Sequence, residues 1–483
     1  SHAPVPFFVS VKGYGIYFDT ARYIEIDFGR LKKDHRIKKE ESTNINVSTA
    51  DLYSVKQMQA DSVVSVCIPA AKGIDIYIFE GDNITEIVSE YNRFSGGGCK
   101  VPDWGFGLYY RCYAGYNQSQ VLSVADYFCK NRIPCSVIGL EPGWQTHAYS
   151  CSFQWNNELF PMPKTMLEQL SKMGLHVNLW EHAFVCNSSL MYDKLKDYSA
   201  NYMVWKGLVP DFSSAAVRDI FCAHHKELVD YDYIDGYKLD ECDSSDYTGG
   251  WSFPDCTEFP SGLDGEQYHC LMGTLYMQTM MQALDGKQTY SEVRNAGALN
   301  ASYPFVLYSD LYDHRDFVRG MCTAGFSGLL WTPEVRHAES REEFLRRLQT
   351  TVFSCQCLIN GWYSEEFPWL KFDCEEEVKK LIELRVKLIP MLSAAFDEYA
   401  TSGKPPIRAL VSDYTDDEQV YDLDDEYIFC DKLIVAPIIA GEKKRKVYLP
   451  QGKWINYFTR DEQKCGWFEV ETENIPIYEK LEV

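Results

Sequence analysis

Two aspartates, Asp240 and Asp310, are the strongest candidates for acid–base chemistry in this sequence. Each ends a short apolar segment, at residues 236–240 and 305–310. Lys238 would lie on the same face of a strand as Asp240, where its ammonium group would keep that carboxylate ionised. Hydrolysis of a glycosidic bond needs two carboxyl groups on opposite sides of one anomeric carbon. Spacing alone also allows a structural interpretation, in which Asp240 caps a helix and Asp310 forms a turn.

Polar residues end most of the other short apolar segments, and tryptophans lie beside several of them. Carboxylates accept hydrogen bonds from hydroxyl groups, and indole rings stack on the apolar C–H faces of sugars, so this combination favours a carbohydrate site. We predict that ten residues contact the substrate: Glu141, Trp144, Trp180, Glu181, His182, Lys238, Arg294, Trp331, Glu334 and Asn360.

The middle of the chain predicts an α/β fold, a (β/α)₈ TIM barrel, that would bring these residues together. Short apolar strands alternate with helical stretches, and catalytic groups of such barrels lie at the C-terminal ends of the strands. A doubly wound open sheet is the alternative, but no Gly-rich phosphate loop follows the first strand. The predicted strands are 105–110, 136–141, 176–182, 236–241, 289–294, 305–310, 328–334 and 357–362.

Two β-rich regions flank this barrel. Residues 1–100 show strand patterns and predict an N-terminal β-sandwich segment, which the glycine run 96–98 separates from the catalytic barrel at 101–395. Strand patterns return at 427–439, 445–449, 453–457 and 467–470, so a small C-terminal β-domain is predicted at 396–483.

Composition limits the partners of the protein. The 483 residues contain 70 Asp+Glu against 47 Lys+Arg, a net charge of −23, which argues against nucleic acid. No apolar run reaches the 18 or so residues of a membrane helix. We expect a cytoplasmic rather than a secreted protein, because no signal-peptide pattern is visible and the 17 cysteines are scattered without a CxxC pair. No pattern indicates an oligomeric state.

Several strings resemble glycoside hydrolase family 31, over essentially the whole chain. They include PFFVSVKGYGIYFDT near the start, DGYKLDECD around Asp240, RNAGALNASYPFVLYSD from Arg294 to Asp310, AGFSGLLWTPEV, and DDEYIFCDKLIVAPII near the end. The resemblance implies that Asp240 is the nucleophile and Asp310 the acid/base of a retaining α-glycosidase. It also implies a covalent glycosyl-enzyme. We expect no cofactor.

The chain departs from the family pattern around the sugar. Glu141 to Trp144 replace two aspartates, Glu334 replaces an aspartate, Arg336 stands where glycines are usual, Asn360 replaces a histidine and Asp243 a glutamate. The strings GLEPGWQ and LWEHAFV look most like the bacterial α-galactosidase-type members. We therefore predict an exo-acting α-galactosidase, with Trp144 and Trp331 as apolar walls of the pocket. The alternatives are an α-glucosidase or α-xylosidase, an α-N-acetylgalactosaminidase, a transglycosylase, or a non-catalytic carbohydrate-binding protein.

Two further expectations concern protons and metals. Asp310 must carry a proton to donate it, so we expect burial and the nearby negative charge of Asp240 to raise its pKa. A metal site would have to use His224 and His225, or the aspartates at 240, 243 and 246. Adjacent histidines of a helix diverge, and the aspartate spacing lacks the glycine and glutamate of a calcium loop. We expect no metal.

Overall fold

The N-terminal region consists of two small sheets, one of which packs on a helix. The computed structural model describes residues 3–32, 62–243, 249–310 and 313–481. Strands β1, β2 and β5 form one antiparallel sheet and β3 and β4 another, and the rings of Phe8 and Phe28, 4.7 Å apart, join the two. The strands are β1 (Phe7–Ser10), β2 (Tyr14–Asp19), β3 (Glu25–Lys32), β4 (Ser62–Cys67) and β5 (Asp75–Glu80).

A helix that the strand prediction overlooked, α1 (Ile84–Phe94), follows these strands. Asn83 caps it by accepting a hydrogen bond of 2.9 Å from the backbone N–H of Glu86. This N-x-x-E spacing is a helix-start signal that was present in the sequence. The predicted linker at 96–98 follows the helix.

Eight parallel strands form the central barrel, in the order β13-β12-β11-β8-β7-β6-β15-β14. Leu307 and Trp331 close the ring, because the N–H of Leu307 donates to Leu330 at 2.7 Å and that of Thr332 to Leu307 at 2.9 Å. The fold class predicted from the sequence is therefore confirmed. The eight barrel strands are β6 (Leu108–Arg111), β7 (Val137–Leu140), β8 (His176–His182), β11 (Gly236–Asp240), β12 (Ser291–Val293), β13 (Phe305–Leu307), β14 (Glu334–Val335) and β15 (Cys357–Asn360). Two further strands, β9 (Ser199–Val204) and β10 (Gly207–Pro210), lie outside the barrel sheet.

The predicted strand limits were wrong at several places. Residues 103–106 form a 3₁₀ turn before β6, and the predicted strand 328–334 is interrupted, with residues 330–332 bridging Leu307 before β14 begins. Between β8 and β11, the chain adds an antiparallel hairpin, β9–β10, which the prediction did not contain.

Helices surround the barrel and continue beyond it. Capping boxes at Asn117 and Asp264 start two of them, and a π-helical segment, His225–Asp230, prolongs a third. Among the described residues, no helix is both long and apolar enough to cross a bilayer. The helices are α2 (Gln118–Asn131), α3 (Pro163–Lys172), α4 (Tyr192–Leu195), α5 (Ala215–His224), α6 (Gly265–Ala283), α7 (His314–Ala324), α8 (Arg341–Val352), α9 (Pro368–Lys371) and α10 (Glu375–Ser402).

The C-terminal region contains a six-stranded sheet and a two-stranded sheet. The segment predicted as one strand at 427–439 is a hairpin, because Cys430 and Asp431 have left-handed backbone angles of φ 50° and 63° that turn the chain. The strands are β16 (Ile407–Ala409), β17 (Tyr427–Phe429), β18 (Leu433–Val435), β19 (Lys444–Leu449), β20 (Trp454–Asn456), β21 (Glu462–Gln463), β22 (Gly466–Glu471) and β23 (Ile477–Lys480).

Candidate active site

Arg294 joins the two candidate catalytic aspartates at the C-terminal mouth of the barrel. Its Nη1 lies 3.5 Å from Asp240 Oδ1 and 2.6 Å from Asp310 Oδ2, so these two oxygens cannot be further apart than the two distances together. That bound is below the separation of roughly 6.5–9.5 Å at which inverting glycosidases hold their carboxyl groups, and it agrees with the 5–5.5 Å of retaining ones. The Nε of Arg294 contacts Asp243 at 3.0 Å.

Asp240, the last residue of β11, is an ionised carboxylate in a buried position. Trp180 donates its indole N–H to Oδ2 at 2.7 Å, and the backbone N–H of Glu241 donates to Oδ1 at 2.9 Å. Burial acts to raise the pKa of Asp240, but the charges of Arg294 and Lys238 and the bond from Trp180 outweigh it and hold the pKa below its ordinary value. A carboxylate of this kind can act as a nucleophile at neutral pH.

Asp310 is paired with two arginines, which corrects the expectation of a raised pKa. Arg336 Nη2 lies 3.0 Å from Oδ1, on the side opposite the contact with Arg294. Burial acts to raise the pKa of Asp310, yet the pKa lies below its ordinary value because Arg294 and Arg336 favour the ionised form. The expectation counted the negative charge of Asp240 and left out both guanidinium groups. The side chain is 37% exposed, so substrate can reach it.

A network of buried charges fills the barrel below the aspartates. Lys238 Nζ lies 3.6 Å from Glu141 Oε1 and 4.9 Å from the centre of the Tyr308 ring. The guanidinium of Arg111 also contacts Glu141, at 3.1 Å, and forms a close ion pair with Glu292. Glu141 therefore lies inside the barrel, where both neighbouring cations contact its Oε1 and would compete with a sugar hydroxyl for that oxygen.

Glu334 and Asn360 form the part of the site next to Asp310. Asn360 donates a hydrogen bond of 3.0 Å to Glu334 Oε2, and Arg336 Nη1 lies 3.1 Å from Oε1. Burial raises the pKa of Glu334 to about 7, with a partly opposing effect from Lys238. This carboxyl group can therefore gain or lose a proton near neutral pH.

His182 is a neutral histidine within a cluster of aromatic rings at the end of β8. The backbone N–H of Phe184 donates to its Nδ1 at 3.1 Å, which places the ring hydrogen on Nε2. Burial lowers the pKa to about 3, and Nε2 has no hydrogen-bond partner among the described residues. Trp180 and Trp205 pack against the ring, with centres 5.5 and 5.1 Å away.

Three of the predicted substrate contacts do not face the pocket. Glu181 alternates with Trp180 and His182 on β8 and points into the helix layer, where it accepts bonds from Tyr276 at 2.6 Å and from His225 at 3.0 Å. Its side chain is 0% exposed. The prediction for Glu181 was therefore wrong.

Both proposed tryptophan walls are also part of the core. Trp144 lies in the 3₁₀ turn after β7, is 1% exposed and donates its indole N–H to the carbonyl of Trp180 at 2.7 Å. Trp331 packs against Phe317 of α7, on the outer side of the strand. Neither ring can stack on a sugar in this arrangement.

Several residues near Asp240 were not predicted. Tyr149 and Trp251 are about two-fifths exposed and pack with Trp205 at ring distances of 5.0 and 5.4 Å. They come from loops and a hairpin turn, where no sequence period marks the orientation of a side chain. Glu241 carries a left-handed φ of 53° and is 6% exposed. Burial, together with the charge of Asp240, raises its pKa to about 9, so it is protonated at neutral pH.

No group of three or more His, Cys, Asp or Glu side chains within the described parts of the chain is arranged to hold a metal ion. Asp246, one of the aspartates considered above, lies outside the described residues. His225 donates to Glu181 and to the carbonyl of Phe221, and His224 donates to the carbonyl of Phe153, so both imidazoles have structural partners.

Comparison with known proteins matches two family descriptions to this chain. The Glycosyl hydrolases family 31 TIM-barrel domain matches residues 99–395, and the Glycosyl hydrolase family 31 C-terminal domain matches residues 403–481. Among curated proteins, the chain is 23% identical to an alpha-xylosidase of Emericella nidulans and 25% identical to an alpha-xylosidase of Saccharolobus solfataricus, over 96% and 98% of this chain. An alpha-glucosidase 2 of Bacillus thermoamyloliquefaciens is 26% identical over 86% of it.

The matched relatives are longer proteins, since the alignments cover 59%, 64% and 57% of their lengths. Among solved structures, a cycloalternan-forming enzyme from Listeria monocytogenes superimposes with a TM-score of 0.82 at 20% identity, over 99% of this chain and 48% of that one. An alpha-xylosidase from a soil metagenome, complexed with xylose, gives 0.79 at 20% identity, over 99% and 73%. These likenesses show the fold.

Proposed function

The chain belongs to glycoside hydrolase family 31, and we propose that it is a retaining, exo-acting α-glycosidase with Asp240 as nucleophile and Asp310 as acid/base. The observation that carries the proposal is the single guanidinium of Arg294, which holds the two carboxylates close enough for one anomeric carbon to lie between them. The barrel mouth is also the end at which such barrels place their catalytic groups.

The reaction proceeds in two displacements. In the first, an oxygen of Asp240 attacks the anomeric carbon, the bond to the leaving oxygen breaks, and Asp310 transfers its proton to that oxygen. In the second, Asp310 takes a proton from water, and the water oxygen displaces Asp240 from the sugar with net retention. Trp180 and Arg294 stabilise the ionised form of Asp240 before the attack, and they stabilise it again when Asp240 leaves the sugar as a carboxylate.

The sugar we propose is a terminal α-linked glucose or xylose. The named relatives above are alpha-xylosidases and an alpha-glucosidase, and none of them supports galactose. The galactose prediction also expected Trp144 to form an apolar wall of the pocket, and Trp144 is a core residue that donates to a backbone carbonyl. The position of Trp144 therefore does not support an α-galactosidase.

A panel of p-nitrophenyl α-glycosides of glucose, xylose, galactose and N-acetylgalactosamine tests this proposal. We expect kcat/KM to be highest for the glucoside or the xyloside, and Asp240→Asn to abolish it. A higher kcat/KM for the galactoside than for the glucoside and the xyloside would overturn the choice of sugar but not the mechanism. Binding of these sugars without turnover of any of them would instead indicate a carbohydrate-binding protein.

Product analysis separates hydrolysis from transfer. Both reactions pass through the same glycosyl-enzyme, and an acceptor hydroxyl replaces water only in the second step. We expect free sugar to be the main product at low acceptor concentration. Oligosaccharide products under those conditions would assign a transglycosylase.

A further inference from the structure

We propose that Arg336 is a positioning residue that controls the proton on Asp310, and that Glu334 limits this control by competing for the same guanidinium. The inference rests on the proposed acid–base role of Asp310.

The geometry connects the three side chains directly. Arg336 places Nη2 3.0 Å from Asp310 Oδ1 and Nη1 3.1 Å from Glu334 Oε1, so one guanidinium bridges two carboxyl groups. Glu334 is the fixed partner: it is 3% exposed, and Asn360 holds its other oxygen at 3.0 Å. Asp310 is the more accessible partner, with a side chain 37% exposed. Arg336 can therefore leave Asp310 while keeping its contact with Glu334.

Charged groups face Asp310 from each strand around it. Arg294 directly follows β12. Glu334 lies in β14, and Arg336 directly follows that strand. Asp240 and Glu241 lie at the end of β11. Glu241 holds its proton at neutral pH, so Asp240 is the anion that favours a protonated Asp310, and Glu334 adds to this effect only in its ionised form. The two arginines favour the carboxylate, and they prevail in this arrangement.

The two catalytic steps need opposite states of Asp310. Removal of a proton from water in the second step suits a carboxylate paired with Arg336. Donation of a proton to the leaving oxygen in the first step needs Asp310 neutral, so Arg336 must withdraw towards Glu334. The proton is balanced across the cycle, because the one that Asp310 takes from water is the one it gives to the next leaving group.

Opposite changes at Arg336 and Glu334 test the proposal. The basic limb of kcat/KM for a phenyl α-glycoside reports loss of the proton from the general acid. Arg336→Gln should move this limb to higher pH by about one unit, since it removes a cation in contact with Asp310. Glu334→Gln should move it to lower pH, because Arg336 then pairs with Asp310 alone. Arg336→Lys, which keeps the charge, should restore most of the wild-type limb.

A glycosyl fluoride of the same sugar is the matched control substrate. Fluoride leaves without a proton, so neither variant should shift its profile in the first step. Shifts in the same direction for both variants, or equal shifts for fluoride and phenyl substrates, would overturn the proposal. If Asp310→Asn keeps the basic limb of the phenyl substrate, the acid–base role itself fails, and the two failures are distinguished.

A direct titration of the Asp310 carboxyl group tests variants whose turnover is too low for kinetic profiles. The infrared difference between each protein and its Asp310→Asn counterpart isolates the carboxyl band of Asp310 and gives its pKa without substrate. We expect this pKa to rise in Arg336→Gln and to fall in Glu334→Gln. An unchanged value in both folded variants contradicts the inference.

Discussion

Trp180 donates its indole N–H to Asp240 Oδ2 at 2.7 Å, across the neighbouring strands β8 and β11. Their register pairs Trp180 with Lys238, two residues before Asp240, so the long indole reaches the carboxylate along the strand direction. The bond restrains the orientation of the Asp240 carboxylate. It also favours the ionised form, because a donor to a carboxylate stabilises its charge.

Trp180→Phe should therefore raise the pKa of Asp240. The pKa of Asp240 is held below its ordinary value in the folded protein, so the acid limb of kcat/KM should move to higher pH when this donor is lost. We expect kcat/KM to fall roughly tenfold, in line with the value of a hydrogen bond to a charged group. Trp331→Phe is the matched control, because that ring packs on Phe317 outside the pocket. An unmoved acid limb in Trp180→Phe contradicts the assignment.

Azide identifies the roles of the two aspartates through the stereochemistry of its product. In Asp310→Ala, azide can enter the second step without base assistance and attack the β-linked glycosyl-enzyme, which gives an α-glycosyl azide. In Asp240→Ala, no covalent intermediate forms, and direct attack on the α-glycoside gives the β-glycosyl azide. Nuclear magnetic resonance of the anomeric proton distinguishes the products. The same anomer from both variants is incompatible with a retaining pair.

The period of a β-strand could have corrected two of the site predictions. Asn178, Trp180 and His182 share one face of β8, since Asn178 donates to Glu292 inside the barrel at 2.9 Å and Trp180 contacts Asp240. Glu181 must then face outward, because successive side chains of a strand alternate. The same alternation places Trp331 and Glu334, which are three positions apart, on opposite faces of the seventh strand.

Other features required the three-dimensional structure. Trp144 lies in a short turn after β7, and a turn has no period from which its direction could follow. The contact between Arg336 and Asp310 joins residues from opposite edges of the sheet order, which meet only because the barrel closes at Leu307 and Trp331. The fold was predictable because strand–helix alternation is a repeated pattern, whereas the charge balance at Asp310 depends on single contacts.

Glu181→Gln should destabilise the protein without changing its choice of sugar. The residue forms a buried ion pair with His225, and loss of one partner of such a pair costs about 3 kcal/mol in the free energy of unfolding. Glu227→Gln, the same change at an exposed position of the π-helical segment, should cost less than about 0.5 kcal/mol. Chemical denaturation measures both. A changed ratio of kcat/KM between glucoside and galactoside would indicate that Glu181 contacts the sugar.

The contribution of the Glu181–His225 pair to the free energy of unfolding should decrease as the pH rises. Burial acts to lower the pKa of His225, but the charge of Glu181 outweighs it and raises the pKa above its ordinary value. A histidine whose pKa is raised by folding contributes its full stabilisation at pH values below its unfolded-state pKa of about 6.5. This contribution is lost as the pH rises through the folded-state pKa. The stability difference between wild type and Glu181→Gln should therefore shrink at alkaline pH. A difference that grows with pH would show that His225 is neutral in the folded protein.

Lys206→Gly should stabilise the hairpin that carries Trp205 to the pocket mouth. Trp205 and Lys206 form the two-residue turn between β9 and β10, with φ of 47° and 60°. Such a turn favours glycine at its second position, because a left-handed backbone costs an L-residue about 1–2 kcal/mol. Glycine gains more freedom in the unfolded chain, so we expect a net gain of about 0.5–1 kcal/mol. Lys206 is exposed, and its side chain should contribute little.

Lys206→Ala separates backbone strain from loss of the side chain. Alanine also lacks the ammonium group but keeps the Cβ that disfavours the left-handed region, so its free energy of unfolding should equal that of wild type or fall slightly. Thermal denaturation of the three proteins gives the comparison. If Lys206→Gly is no more stable than Lys206→Ala, the turn is not strained. In that case, the position of Trp205 would have to be maintained by its contacts with Tyr149, His182 and Trp251 rather than at a cost to the backbone.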